Sequence, residues 1–105
     1  MFEFLKSKPP KEQAEYNKEK IIYKNVKEIV KSYDKIIKNM INNGITYENN
    51  TIMGIPINGY SYFSEESTNR ALIQLQNKYK VYNIKFNITW TGCENSYIGI
   101  SVEFI

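Results

Sequence analysis

The chain has 105 residues, enough for one domain with a modest core and too few for two ordinary ones. Apolar residues make up 42 % and charged residues 24 %, globular proportions that exclude a disordered tail. The formal net charge is +3; residues 1–44 carry a net +4 and residues 45–105 a net −1, so the basic character belongs to the first element.

Residues 1–10 form a short N-terminal tag, with the apolar stretch FEFLK closed by Pro9 and Pro10. It has no apolar run long enough for a signal peptide, and no other stretch approaches a membrane span. Cys93 is the only cysteine, so no disulfide framework can form within the chain. A reducing compartment follows as the expectation, the cytoplasm of a bacterial or virus-infected cell. Ile, Lys, Asn and Tyr supply 51 of the 105 residues. All four have AT-rich codons, the usage of an AT-rich bacterial genome, a phage or another mobile element.

The spacing predicts a long helix over 11–43. Proline is tolerated in a first helical turn, and Gly44 suits the left-handed position after the last. Ile22, Val26, Ile29, Tyr33, Ile36 and Met40 recur at spacings of 4, 3, 4, 3 and 4. At 100° per residue these six stay within about 40° of one line. Tyr23, Val30, Ile37 and Ile41 widen this apolar face on one side. Such a helix would be roughly 50 Å long, against about 33 Å for a compact domain of this size. It must overhang, break or pack on a second copy, and the stripe has the spacing of helix pairs; a homodimer through this helix is the expectation.

Residues 45–63 read as a hairpin. Asn58-Gly59 is a favoured two-residue turn, with Ile55 and Ile57 facing Tyr60 and Tyr62. Gly54 and Pro56 weaken its first strand. Residues 65–80 read as a second helix, with Ser64 or Ser67 as cap and Ala71, Leu72, Leu75 and Tyr79 as buried stripe. Residues 81–105 carry the clearest strand signal: Tyr82, Ile84, Phe86, Ile88 and Trp90 alternate with polar residues, as do Ile98, Ile100, Val102 and Phe104. The order α-β-β-α-β-β predicts a single α+β domain over 1–105. Its small antiparallel sheet is covered on its apolar face by both helices.

The chemical inventory is thin. There is no histidine, which removes the commonest general base and metal ligand. One cysteine without histidine leaves no thiol-protease arrangement and no zinc site. No glycine-rich phosphate loop occurs. A carboxylate pair such as Glu94 with Glu103 could be imagined as acid and base, and nothing in the spacing favours it. A non-catalytic protein without cofactor or metal is expected.

Two surfaces remain as binding candidates. Lys20, Lys24, Lys27, Lys31, Lys35 and Lys38 fall within about 40° of the line opposite the apolar stripe. The simplest reading is the wet side of an amphipathic helix. The alternative is a non-specific nucleic-acid grip, since the row spans roughly 27 Å and could follow several phosphates. It contains no arginine, the residue that reads base edges. Tyr47, Tyr60, Tyr62 and Tyr97, with Glu94 and Asn95 in the 91–96 loop, form the other candidate, a protein interface at turns and strand ends. Tyr33 and Tyr82 read as core. The favoured expectation is a small factor that binds a protein target, of inhibitor, anti-defence or immunity type. Non-specific nucleic-acid binding comes second, and a self-assembling structural subunit third.

Overall fold

A computed structural model describes residues 9–53, 56–57, 60–61, 65–91 and 97–105. The first helix, α1, runs Pro10–Asn43. Proline at its start costs nothing, because a first-turn N–H has no helical partner. It ends as its glycine requires. Gly44 adopts φ 67°, its N–H donates to the Ile41 carbonyl and the Ile45 N–H donates to that of Met40. These bonds satisfy carbonyls that the helix end leaves open.

Strand β1, Tyr47–Met53, leads into a separate two-residue ladder of β2, Pro56–Ile57, and β3, Tyr60–Ser61. Ile57 pairs with Tyr60, the register of a two-residue loop. Helix α2 spans Glu65–Lys78, and a single 3-10 turn occupies Lys80–Tyr82. Asn83, at φ 56°, redirects the chain into β4, Ile84–Thr91, followed by β5, Tyr97–Phe104. The left-handed region suits Asn better than most residues.

The main sheet is antiparallel, in the order β1-β5-β4. Because β1 and β4 each run antiparallel to β5, they are parallel to one another, with α2 in the connection between them. The fold is α+β, with a long N-terminal helix, a second helix and a small antiparallel sheet. Its principal strands lie differently from the sequence expectation. The 45–63 region contributes β1 to the main sheet, and β2 and β3 form only a minimal hairpin beside it.

Register explains the core. Phe86 lies opposite Val102 and Ile88 opposite Ile100, while Asn50 and Ile52 pair with Ile100 and Ile98. With a period of two, these residues share one face. On it Phe86, Ile98, Ile100 and Val102 are buried with Ile22, Val26, Ile29, Tyr33, Ile37 and Met40 of α1 and Ala71 and Leu75 of α2. The opposite face carries Tyr47, Asn49, Lys85, Asn87 and Glu103, all exposed. Small Gly99 and Ser101 on the central strand leave room above it. There the Thr89 hydroxyl donates to Asn49 Oδ1 at 2.8 Å, reaching from one outer strand to the other.

Two expectations are corrected. The alternation read as continuous from Tyr82 to Trp90 begins only at Ile84, and a bulge between Ile88 and Trp90 interrupts it, pairing Trp90 with Gly99. Tyr82 is therefore no core residue: it sits in the 3-10 turn and is 67 % exposed. Tyr23 and Ile41, counted on the widened apolar face of α1, are also exposed. Ile41 lies beyond the end of α2, whose last residue, Lys78, reaches α1 at Asp34, while Tyr23 borders a cleft beside Gln74 of α2.

The length of α1 is accommodated by overhang. Burial in the core begins at Ile22, and residues 10–21 are exposed apart from half-buried Gln13. The radius of gyration is 16.4 Å, against about 13 Å for a compact chain of this length.

Candidate docking groove and basic helix face

At the C-terminal end of α1 the layer between helix and sheet is left open. Ile37 and Ile41 of α1, Lys78 and Tyr79 at the end of α2, Tyr82 of the 3-10 turn, and the paired Ile84 and Phe104 line a groove of about 650 Å³. Part of this apolar surface and of the turn beside it in sequence is open to solvent. Ile41 is 64 % exposed and Val81 78 %. This volume falls within the roughly 300–1,000 Å³ of ordinary binding sites.

The walls are held by specific bonds. The Tyr79 hydroxyl and the Lys78 ammonium both donate to the Asp34 carboxylate, tying the end of α2 to α1. Burial, then the bond to Asp34 and its negative charge, push the Tyr79 phenol well above its ordinary range. Its ring stands edge-on to Tyr82 at 6.3 Å and lies 5.9 Å from Phe86. The Tyr82 N–H donates to the Tyr79 carbonyl, and the Ile105 N–H donates to that of Asn83. The turn is thus fastened on both sides, and the groove exists before any partner arrives.

The six lysines of the row, Lys20, Lys24, Lys27, Lys31, Lys35 and Lys38, are all exposed. The ion pairs among the described residues use Arg70 with Glu19 and Glu66, and Lys78 with Asp34; none uses the row. Arg70 grips both oxygens of Glu19 at 3.0 Å, which lowers the Glu19 pKa through that hydrogen bond. Lys20 lies over the Tyr16 ring at 4.6 Å and Lys27 over Tyr23 at 5.4 Å, so two exposed aromatics accompany the row. A smaller cleft of about 330 Å³ between the helices is lined by Tyr23, Lys27, Val30, Lys31, Asp34 and Gln74.

Of the expected tyrosine surface, Tyr47 is exposed on β1 opposite Glu103. Tyr60 and Tyr97 are placed by their backbone, opposite Ile57 and Met53. Tyr62, Cys93, Glu94 and Asn95 lie outside the described residues. The groove itself was not anticipated. Its sequence signal was the excess width of the apolar arc on α1, together with Val81 and Tyr82 ahead of Asn83.

Among the described residues there is no group of three or more candidate metal ligands, and no helix is long and apolar enough to cross a membrane. No protein-family model, curated protein or solved structure matches this chain.

Proposed function

We propose that the protein is a non-catalytic factor that binds another protein through the groove at the C-terminal end of α1. The observation that carries this reading is the apolar groove, whose lining residues Ile41 and Tyr82 are themselves largely exposed. Contiguous exposed apolar surface rimmed by polar residues marks interaction sites in soluble proteins. An inhibitor, anti-defence or immunity role suits such a factor, since occluding a target needs shape and no catalytic group. Capture from the source cell with wild type and Ile41→Asp side by side tests it. The partner is expected with wild type and lost with the variant; a partner held equally by both overturns the assignment to the groove.

A second reading is supported by the six exposed lysines outside every ion pair among the described residues, with Tyr16 and Tyr23 beside them. They could hold a nucleic-acid backbone without sequence preference. Retention on duplex DNA should then fall with salt at a log–log slope of roughly 0.9 per phosphate neutralised. As for the expected homodimer, the α1 stripe of Ile22, Val26, Ile29, Tyr33 and Met40 is buried in the chain's own core. Pairing through the first helix would use its exposed apolar residues Ile21, Tyr23 and Ile41, and sedimentation at micromolar concentration measures it.

A further inference from the structure

The groove's lining and rim narrow the kind of partner it takes. Its lining side chains offer three polar groups, the Lys78 ammonium and the Tyr79 and Tyr82 hydroxyls, and the first two already bond Asp34. A small molecule is oriented by a few convergent, available polar groups, and here two of the three are engaged with Asp34. The groove instead presents side chains from two helix ends and a turn, the kind of surface that receives the apolar face of another helix.

The rim is basic. Lys38 lies one residue from Ile37 and one turn from Ile41, and Lys80 precedes Val81 and Tyr82; both are exposed. Lys78 sits in the lining itself, and the nearby carboxylate, Asp34, is held by Lys78 and Tyr79. From Lys38 the row continues back along α1 through Lys35 and Lys31 to Lys20, about 27 Å of positive charge outside every ion pair among the described residues. A second copy of the chain fits poorly, because an isologous contact would set one basic rim against another.

Resting on the groove as the protein-binding surface, we infer that its occupant is an acidic amphipathic helix of the partner. Large apolar side chains at i, i+3 or i+4 and i+7 enter the groove between Ile41, Tyr82 and Ile84. Carboxylates on the flank of that helix face Lys38 and Lys80. The apolar contacts set the lifetime of the complex, and the lysines set its rate of formation and its salt dependence.

The test uses three synthetic peptides of about 16 residues on the helix-in-groove pattern. One carries leucines at that spacing on a glutamate-rich background. The second has lysine for each glutamate, and the third keeps the acidic composition with the leucines scrambled. Binding is followed by fluorescence anisotropy at low and high salt, and located by amide chemical-shift mapping on the full chain. The acidic amphipathic peptide is expected to bind alone among the three, shifting Ile41, Tyr82, Ile84 and Phe104. Its affinity should fall at high salt and in Lys38→Glu/Lys80→Glu, and fall at least about tenfold in Ile41→Asp, the scale of an interface anchor. Ile41, Lys38 and Lys80 are exposed, so these variants should keep the wild-type spectrum. If the lysine peptide or the scrambled peptide moves the groove amides equally well, the acidic helix is wrong while the groove stands. If none of the peptides moves them, or if they move with protein concentration alone, both the acidic helix and the groove reading fall.

Discussion

The backbone N–H of Ile100 donates to the hydroxyl of Tyr33 at 2.9 Å, deep in the core. The same hydroxyl donates onward to the Asn50 carbonyl at 2.9 Å. Asn50 and Ile100 are register partners on β1 and β5, so the phenol bridges the two strands from the helix side. Tyr33→Phe keeps the ring and removes the bridge. It should cost about 1–3 kcal/mol, the penalty for buried backbone groups that lose their partner. A thermal melt measures this, and the Ile100 amide should exchange faster with solvent than in wild type. An unchanged melt would mean that water or the ladder takes over both bonds.

The same residue predicts an alkaline transition. Burial pushes the Tyr33 phenol from 10.0 up to about 12, the bond from Ile100 opposing the shift. Its folded pKa lies above its unfolded one, so the stability it contributes is complete below about pH 10 and is lost as pH rises through about 12. Tyr79, shifted in the same direction, adds to that loss. Urea midpoints measured from about pH 8 to 11 should fall more steeply in wild type than in Tyr33→Phe, which has no phenol to ionise. Parallel curves would show that Tyr33 titrates alike folded and unfolded.

The two faces of β4 give a paired prediction. Phe86 is 3 % exposed and packs near Tyr79, while Asn87, the next residue, is exposed on the open side of the sheet. Phe86→Asp should cost at least about 3 kcal/mol, since it loses a buried aromatic and adds an unpaired charge. Asn87→Asp should change stability by less than about 0.5 kcal/mol. Equal damage in the two melts would contradict the assigned faces.

What the sequence disclosed and what it hid follow from periodicity. The α1 stripe and the alternation in 84–88 and 98–104 were legible because each side of the element meets one environment throughout. β1 was hard to separate from its hairpin because Glu48, Asn49, Asn50 and Thr51 make a weakly apolar edge strand, half of whose residues face the open side. The bulge after Ile88 leaves no compositional mark. Tyr82 and Ile41 obey the apolar pattern of their segments and still face outward. Their exposure depends on where α2 ends, at Lys78, and no local pattern encodes that. The groove therefore appears only once the two helices are placed side by side.

The lysine row predicts a stability gain on losing charge. Lys35 follows Lys31 by four residues and precedes Lys38 by three, so on α1 it has a like charge on both sides. Such pairs are destabilising by a few tenths of a kcal/mol each, and opposite pairs stabilise by about as much. Asp34 is adjacent in sequence but points elsewhere on the helix, toward Lys78 and Tyr79. Lys35→Glu turns two repulsions into two attractions and should raise stability by roughly 0.5–1 kcal/mol, less at high salt. For a chain of this size the melting temperature should rise by about 2–6 °C. If the row is only a solvated face, the variant is simply a better helix. If it meets an acidic partner, the same variant should melt higher and bind more slowly. A melting temperature that stays the same or falls at low salt would show that the repulsion along the row is already screened or relieved.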